Sequence, residues 1–275
     1  MNGLNRLRLL AARRFPVLRK ARQLRWRAAQ LKHLAAVLRP APLFLLREAR
    51  GGTGRYSLPS GAVIVLRHQT RDLEVVDEVL VPPHAYEPPP VVASHLGGPL
   101  RIVDIGANIG TFGVFALGRW NVDTMRSFEP DPTNAAMLNE AIALNHANHR
   151  WTAHQVAVSN SSGHMTLIPG HFSLSRRADH GEAGIDVMMV DLFTLDSNAD
   201  LLKMDIEGGE WSILCDRRMA DLRARVIVME WHWRFSPLAD PHAAALNLLG
   251  RAGYTVHADR VEPRTGTGLV WASRP

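Results

Sequence analysis

Cysteine is nearly absent from this chain of 275 residues. Cys215 stands alone, so no internal disulfide can form. A reducing compartment is compatible, and the thiol is expected to serve as a small buried apolar group. Long hydrophobic runs are missing too. No stretch approaches about 18 uncharged apolar residues, the length that would read as a membrane-spanning helix. Arginines interrupt the N-terminal segment throughout, so it has no apolar centre of the signal-peptide kind. There is no internal repeat and no low-complexity tract. The histidines His146, His149, His154, His164, His171 and His180 are scattered without a dependable metal-ligand spacing, and no metal site is expected. Lysine is scarce. Lys203 is the one lysine outside the N-terminal segment, which makes its place inside an apolar run conspicuous.

What is present is enough to build a core: 46% of the residues are hydrophobic and 21% charged. The formal charge of +6 is unevenly spread. Residues 1–50 hold 13 Lys+Arg against one acid, Glu48, so the rest of the chain is net acidic. Residues 1–39 read as one or two Arg-rich helices with leucines at loosely helical spacing, interrupted by Pro16 and ended by Pro40 and Pro42. Such a segment suits an anionic membrane surface, with nucleic acid as the weaker partner. Its bland alternative is a helix that packs its leucines on the domain. A cytoplasmic protein with a peripheral membrane contact is the expectation.

Three parts are expected: a basic helical extension over 1–50, a strand–helix prelude over 51–95, and a main domain over 96–275. In the prelude, Gly51, Gly52 and Gly54 read as a linker, 62–66 as a strand and 72–81 as a helix. From Leu100 onward short apolar runs alternate with helical stretches. The runs are 100–104, 124–128, 151–158, 201–205 and 226–230, which implies an α/β fold with parallel strands and crossover helices. Two last strands, 254–258 and 268–272, have no helix between them and should form an antiparallel hairpin.

The stretch "VDIGANIG" ends the first of these strands in Asp104 and continues through Gly106, Ala107, Asn108 and Gly110 into a helix. Glycines at a strand–turn–helix junction allow positive φ and close approach of a ligand to the backbone. The spacing departs from the dinucleotide fingerprint G-x-G-x-x-G. An acid at the head of the turn would repel phosphate and attract a sulfonium or ammonium group, which favours S-adenosyl-L-methionine over NAD. Glu129, at the tip of the next strand, can accept hydrogen bonds from ribose hydroxyls.

These segments resemble the FkbM-type methyltransferase family. The matching stretches are "VDIGANIGTFGVFA", "SFEPDPTNAAMLNEAIALN", "VAVSNSSGHMTL", "LLKMDIEGGEWSIL" and "VIVMEWH", with "RHQTRDLEVVDEVLVPPHAYEPP" as lead-in. The resemblance implies a class I S-adenosylmethionine-dependent methyltransferase, a Rossmann-like sheet, and O-methylation as the usual activity. It also implies that Asp104, Gly106, Ala107, Asn108 and Gly110 face the methionine end, Glu129 the ribose, and Gln155, Val156 and Ala157 the adenine. The acceptor it suggests is a hydroxyl of a sugar, glycolipid or other small molecule.

The acceptor side should then lie at the ends of the last two parallel strands. Lys203 and Asp205 are two apart and share a face, as do Glu230 and His232. Glu207 follows at a strand tip, beside Gly208 and Gly209. A carboxylate or His232 is expected to remove the acceptor proton, and Glu210 to cap the next helix. Asp205, Glu230 and His232 could instead gather Mg²⁺. The segment 169–184 reads as a lid or a loose loop. No D/N-P-P-Y/F turn is present, which argues against methylation of base amino groups. The rivals are an RNA methyltransferase that uses the basic segment and a non-catalytic or dehydrogenase-like nucleotide module.

Overall fold

The computed structural model describes residues 16–168, 176–177, 184–195 and 198–275, with side chains from residue 24 onward except at 176–177. The elements in chain order are α1 (Pro16–Val37), α2 (Ala41–Arg50), β1 (Gly52–Ser57), β2 (Val63–His68), α3 (Asp72–Leu80), β3 (Leu100–Ile105), α4 (Thr111–Arg119), β4 (Val122–Phe128), α5 (Pro132–Leu144), β5 (Trp151–His154), β6 (Ala157–Ser159), β7 (Gly163–Ile168), β8 (Arg176–Arg177), β9 (Ile185–Asp191), β10 (Leu201–Met204), α6 (Glu210–Leu214), β11 (Val226–His232), α7 (Pro241–Arg251), β12 (Thr255–Glu262) and β13 (Thr267–Ser273).

Seven strands form the main sheet in the order β12-β13-β11-β10-β3-β4-β5. The five from β11 to β5 run parallel, and β13 and β12 close the edge antiparallel, as the sequence pattern implies. The chain leaves β3 toward β4 on one side and returns at β10 on the other. That reversal opens a crevice beyond the strand ends, where open α/β sheets bind ligands.

Local chemistry fixes the helix starts. The Asp131 carboxylate accepts from the N–H groups of Thr133 (2.8 Å) and Asn134 (3.2 Å), with Pro132 in the first turn of α5. Asp240 does the same for α7. Helix α4 has no side-chain cap; it begins at Gly110 in the left-handed region, so its first N–H groups stay open toward the crevice.

Three sequence readings need correction. The glycine "linker" is strand β1, paired antiparallel with β2. Gly54 belongs in it because the Tyr56 ring folds back over that position and would lie 2.3 Å from any Cβ. The run 151–158 is two strands, since the chain leaves the main sheet after His154 and joins a second sheet, β6-β9-β7-β8. Cys215 is exposed just past the end of α6, not buried. The 169–184 segment lies outside the described residues apart from Arg176, Arg177 and Gly184. Two leucines of the extension do pack: Leu34 and Leu38 share one buried cluster with Phe44, Ile64, Ile102 and Leu138.

Candidate active site

The turn after β3 is left-handed at Gly106 (φ 77), Asn108 (φ 51) and Gly110 (φ 87). The N–H groups of Gly106 and Ala107 both donate to the Phe128 carbonyl at 3.0 Å, which pins the turn to the end of β4. A Cβ on Gly106 would sit 1.7 Å from the Asp205 carbonyl oxygen. A Cβ on Gly110 would sit 2.9 Å from Leu138 and 3.4 Å from Trp151. Both glycines are therefore demanded by the protein's own packing, whereas the sequence reading assigned that crowding to a ligand. Gly106, Ala107 and Asn108 line the crevice; Gly110 does not.

Glu129 is buried at the mouth of the turn. One oxygen accepts from the Asn108 N–H (2.8 Å) and the other from the Asp131 N–H (2.9 Å). Burial pushes its carboxyl up to about 7 against the pull of those two donors. Each carboxylate oxygen keeps a second acceptor direction for a hydroxyl.

Asp104 does not reach the crevice, contrary to the sequence reading. Ser127, Asp104 and Lys203 stand side by side across β4, β3 and β10. The Ser127 hydroxyl donates to Asp104 (3.0 Å), and Lys203 Nζ pairs with it at 3.3 Å. Nζ also donates to the Gly106 carbonyl at 2.6 Å. Burial works against the ammonium, but Asp104 and Asp205 hold it charged above its ordinary range. Lys203 is thus an internal counter-ion under the glycine turn, where it lines the crevice floor.

Of the expected adenine residues only Ala157 lines the crevice. Gln155 is exposed, and Val156 packs into the core, because the strand break at His154 resets which side chains face inward. The apolar wall on that side comes from Val158 and from Met165, Leu167 and Met189 of the second sheet, which the sequence reading did not foresee. The alternation in "HMTLI" was the available signal.

On the other side, Asp205 accepts from the Tyr86 hydroxyl at 3.4 Å. Tyr86 is buried, and burial together with Asp205 raises its hydroxyl well above the ordinary phenol, so it stays a donor. It lines the crevice and was overlooked, although it lies in the lead-in "HAYEPP". Glu207 lines the crevice in the left-handed region, at φ 51. Burial raises its carboxyl against the charge of His232, whose Nε2 lies 3.4 Å from it.

His232 is gripped from the other side by Glu210. That fully buried carboxylate accepts from His232 N–H (2.7 Å), faces His232 Nδ1 (3.1 Å) and accepts from the Gly208 N–H (2.8 Å). Burial works against the imidazolium, yet the Glu210 bond and the charges of Glu210, Asp205 and Glu207 outweigh it and lift His232 to about 10. Both ring nitrogens thus face carboxylates, Nδ1 that of Glu210 and Nε2 that of Glu207, an arrangement that favours the imidazolium and disfavours His232 as a general base. Glu210 does more than cap a helix: it fixes this histidine. Glu230 is pushed up to about 8 by burial and by Asp205, and neither it nor His232 lines the crevice. Among the described residues no three His, Cys, Asp or Glu side chains converge to hold a metal ion.

The crevice therefore joins a backbone-rich half and a carboxylate-rich half in one space of about 1080 Å³, counting its open mouth. Residues 104–256 match the Methyltransferase FkbM domain. The chain belongs to the FkbM methyltransferase family. It is 28% identical to methyltransferase sdnD of Sordaria araneosa over 47% of this chain and 66% of that protein. Among solved structures it is similar to an FkbM methyltransferase from Methylobacillus flagellatus KT, at 19% identity over 62% of this chain and 43% of that one, with a TM-score of 0.44. It is also similar to the magnesium protoporphyrin IX methyltransferase of Synechocystis PCC 6803 with bound SAH, at 14% identity over 74% and 82%, TM-score 0.44. The chain spans less than two thirds of the length of the first two relatives.

Membership of this family implies S-adenosylmethionine as the cofactor, and the residues present fit it. Thr111 Oγ1, at the open start of α4, is buried against the crevice with no hydrogen-bond partner among the described residues. Glu129 offers acceptors for hydroxyls, and the second sheet supplies an apolar slot beside it.

Proposed function

We propose that the protein O-methylates a hydroxyl of a sugar, glycolipid or other small-molecule acceptor by direct in-line displacement. S-adenosylmethionine, when bound, supplies the electrophilic methyl group. Gly106, Ala107, Asn108 and Glu129 hold it, with Ala157, Val158 and the β7–β9 methionines against its flat part. Asp205 accepts the proton of the acceptor hydroxyl. Tyr86 orients that carboxylate, and Lys203 keeps the floor of the crevice neutral by answering Asp104. Glu207 positions the acceptor, held in place by the His232–Glu210 pair. Most of the acceleration comes from positioning and exclusion of water. The observation that carries this reading is that Asp205 and Glu207 line the same crevice as the glycine turn and Glu129. Calorimetry with S-adenosylhomocysteine and NAD, followed by a methyl-transfer screen of sugar and glycolipid acceptors, tests it. Preference for NAD would sink it.

The same reading sets residues 1–39 against an anionic membrane surface on the cytoplasmic side. No described helix is long and apolar enough to cross a membrane. The positive charge of the segment and the exposed Leu24 and Trp26 support a surface contact.

A further inference from the structure

Helix α2 is built inside out. Its inner face carries Phe44 and the carboxylate of Glu48, both buried. Glu48 is engaged there by the Arg27 guanidinium, by His68 Nδ1 at 3.0 Å and by the Gln69 N–H at 3.2 Å. Its outer face carries Pro42, Leu43, Leu45, Leu46 and Ala49, with Arg50 at its end. The three leucines are 37%, 47% and 45% exposed. A helix on a water-facing surface shows the opposite arrangement, apolar inward and charged outward.

The exposure is concentrated. Of nine large hydrophobic side chains that are exposed among the described residues, five lie between Leu24 and Leu46, three of them on α2 within four positions. The charge around it has one sign. Glu48 is the sole acid among the first 50 residues, set against 13 Lys+Arg, and it is turned inward. Exposed leucines and a tryptophan with arginines among them complement the acyl boundary and headgroups of an anionic bilayer.

We propose that α2 is a membrane-docking helix whose outer leucines enter the interface of an anionic phospholipid bilayer. This rests on the reading of the basic segment as membrane-facing and places the inserting residues beyond it, at Leu43, Leu45 and Leu46. Helix α2 packs on α1, and α1 packs on α3, which lends Val75 and Val79 to the crevice, so the docking surface and the site are joined through two helices.

The test sediments the full chain and its Leu45→Ser/Leu46→Ser variant with vesicles of phosphatidylcholine, alone or mixed with phosphatidylglycerol. The expected result is binding to the mixed vesicles only, weaker by about tenfold or more in the variant, since two half-buried leucines are removed from the interface. The variant should keep the wild-type melting temperature. Equal binding by both proteins overturns the insertion but leaves an electrostatic contact by residues 1–39 standing. No vesicle binding by the wild type overturns both; a dimer in sedimentation equilibrium that the variant dissolves would then assign the face to a second copy. If vesicles bind only after residues 1–15 are deleted, that segment covers the leucines and the proposal also falls.

Discussion

Of the left-handed residues that line the crevice, Gly106 with φ 77 and Glu207 with φ 51 stand on opposite sides, with Asn108 at φ 51 beside the former. At Gly106 the fold leaves no choice, because the Asp205 carbonyl occupies the place of a Cβ. At Glu207 a glycine is available one position later, yet the strained position itself carries a carboxylate. On the cofactor side, packing dictates the backbone, and the acids are answered: Glu129 by two N–H groups, Asp104 by Lys203. On the acceptor side, backbone strain is kept where it aims a functional group. One half of the site is a consequence of the fold, and the other half is imposed on it.

The largest effect should come from Gly106→Ala. The new methyl meets backbone, which cannot rotate away, and the ends of β3 and β10 must part. A loss of about 3–5 kcal/mol is expected, at the top of the range for single substitutions, with S-adenosylhomocysteine binding lost as well. A variant that melts within a few degrees of wild type would show that packing does not dictate this turn.

Asp205→Asn probes the other half. Loss of a general base typically costs ~10²–10⁴-fold in turnover. The fold and the cofactor affinity should stay near wild type, because the side chain's one hydrogen-bond partner among the described residues is Tyr86, at 3.4 Å. Turnover close to wild type removes Asp205 from the chemistry and passes the role to Glu207.

Glu210→Gln should cost about 1.5–3 kcal/mol, the scale of a buried hydrogen bond to a charged group. The pH dependence sharpens it. His232 is raised from an ordinary 6.5 to about 10, so its stabilisation is complete below 6.5 and is lost as pH rises through about 10. In the variant the histidine should titrate nearer its ordinary value, and the alkaline loss should shift down with it. Histidine titration by NMR, beside melting temperature against pH, reads both. An unmoved His232 would break the clamp.

Glu129→Ala should weaken S-adenosylhomocysteine by about 1–3 kcal/mol through lost hydrogen bonds to hydroxyls. Because burial lifts Glu129 to about 7, wild-type affinity should improve as pH rises through 7 and the carboxylate ionises. Glu129→Gln should flatten that step. Asp104→Asn, by contrast, should lower stability more than affinity, since its carboxylate faces Lys203 and Ser127 and not the crevice. Calorimetry across pH separates the two acids.

How legible each part was follows the same division. The parallel strands, the terminal hairpin and the glycine turn were readable, because apolar runs and φ-permissive residues are local signals. Glu129 was readable for the same reason: it ends a strand. The role of Lys203 was not, because its partner is set by register between β3 and β10, which sequence spacing does not reveal. The grip on His232 was not readable either, because it comes from Glu210, 22 positions away in sequence. The second sheet was missed because β6 is three residues long and breaks off a run that looks continuous.

The smallest effect is the most discriminating. At Glu207, relief of left-handed strain by glycine is worth about 1–2 kcal/mol, offset by the freedom glycine adds to the unfolded chain, about 0.5–1 kcal/mol. The contact with His232 at 3.4 Å is partly exposed and adds little. Glu207→Gly should therefore melt at or slightly above wild type. Glu207→Ala loses the same carboxylate but keeps the strain, and should fall below Glu207→Gly by roughly 1 kcal/mol. Both should lose turnover alike, because both lack the group that positions the acceptor. If alanine proves as stable as glycine, no strain is stored at this position. If turnover survives in both, the strain serves no chemistry, and the difference between the two halves of the crevice reduces to packing.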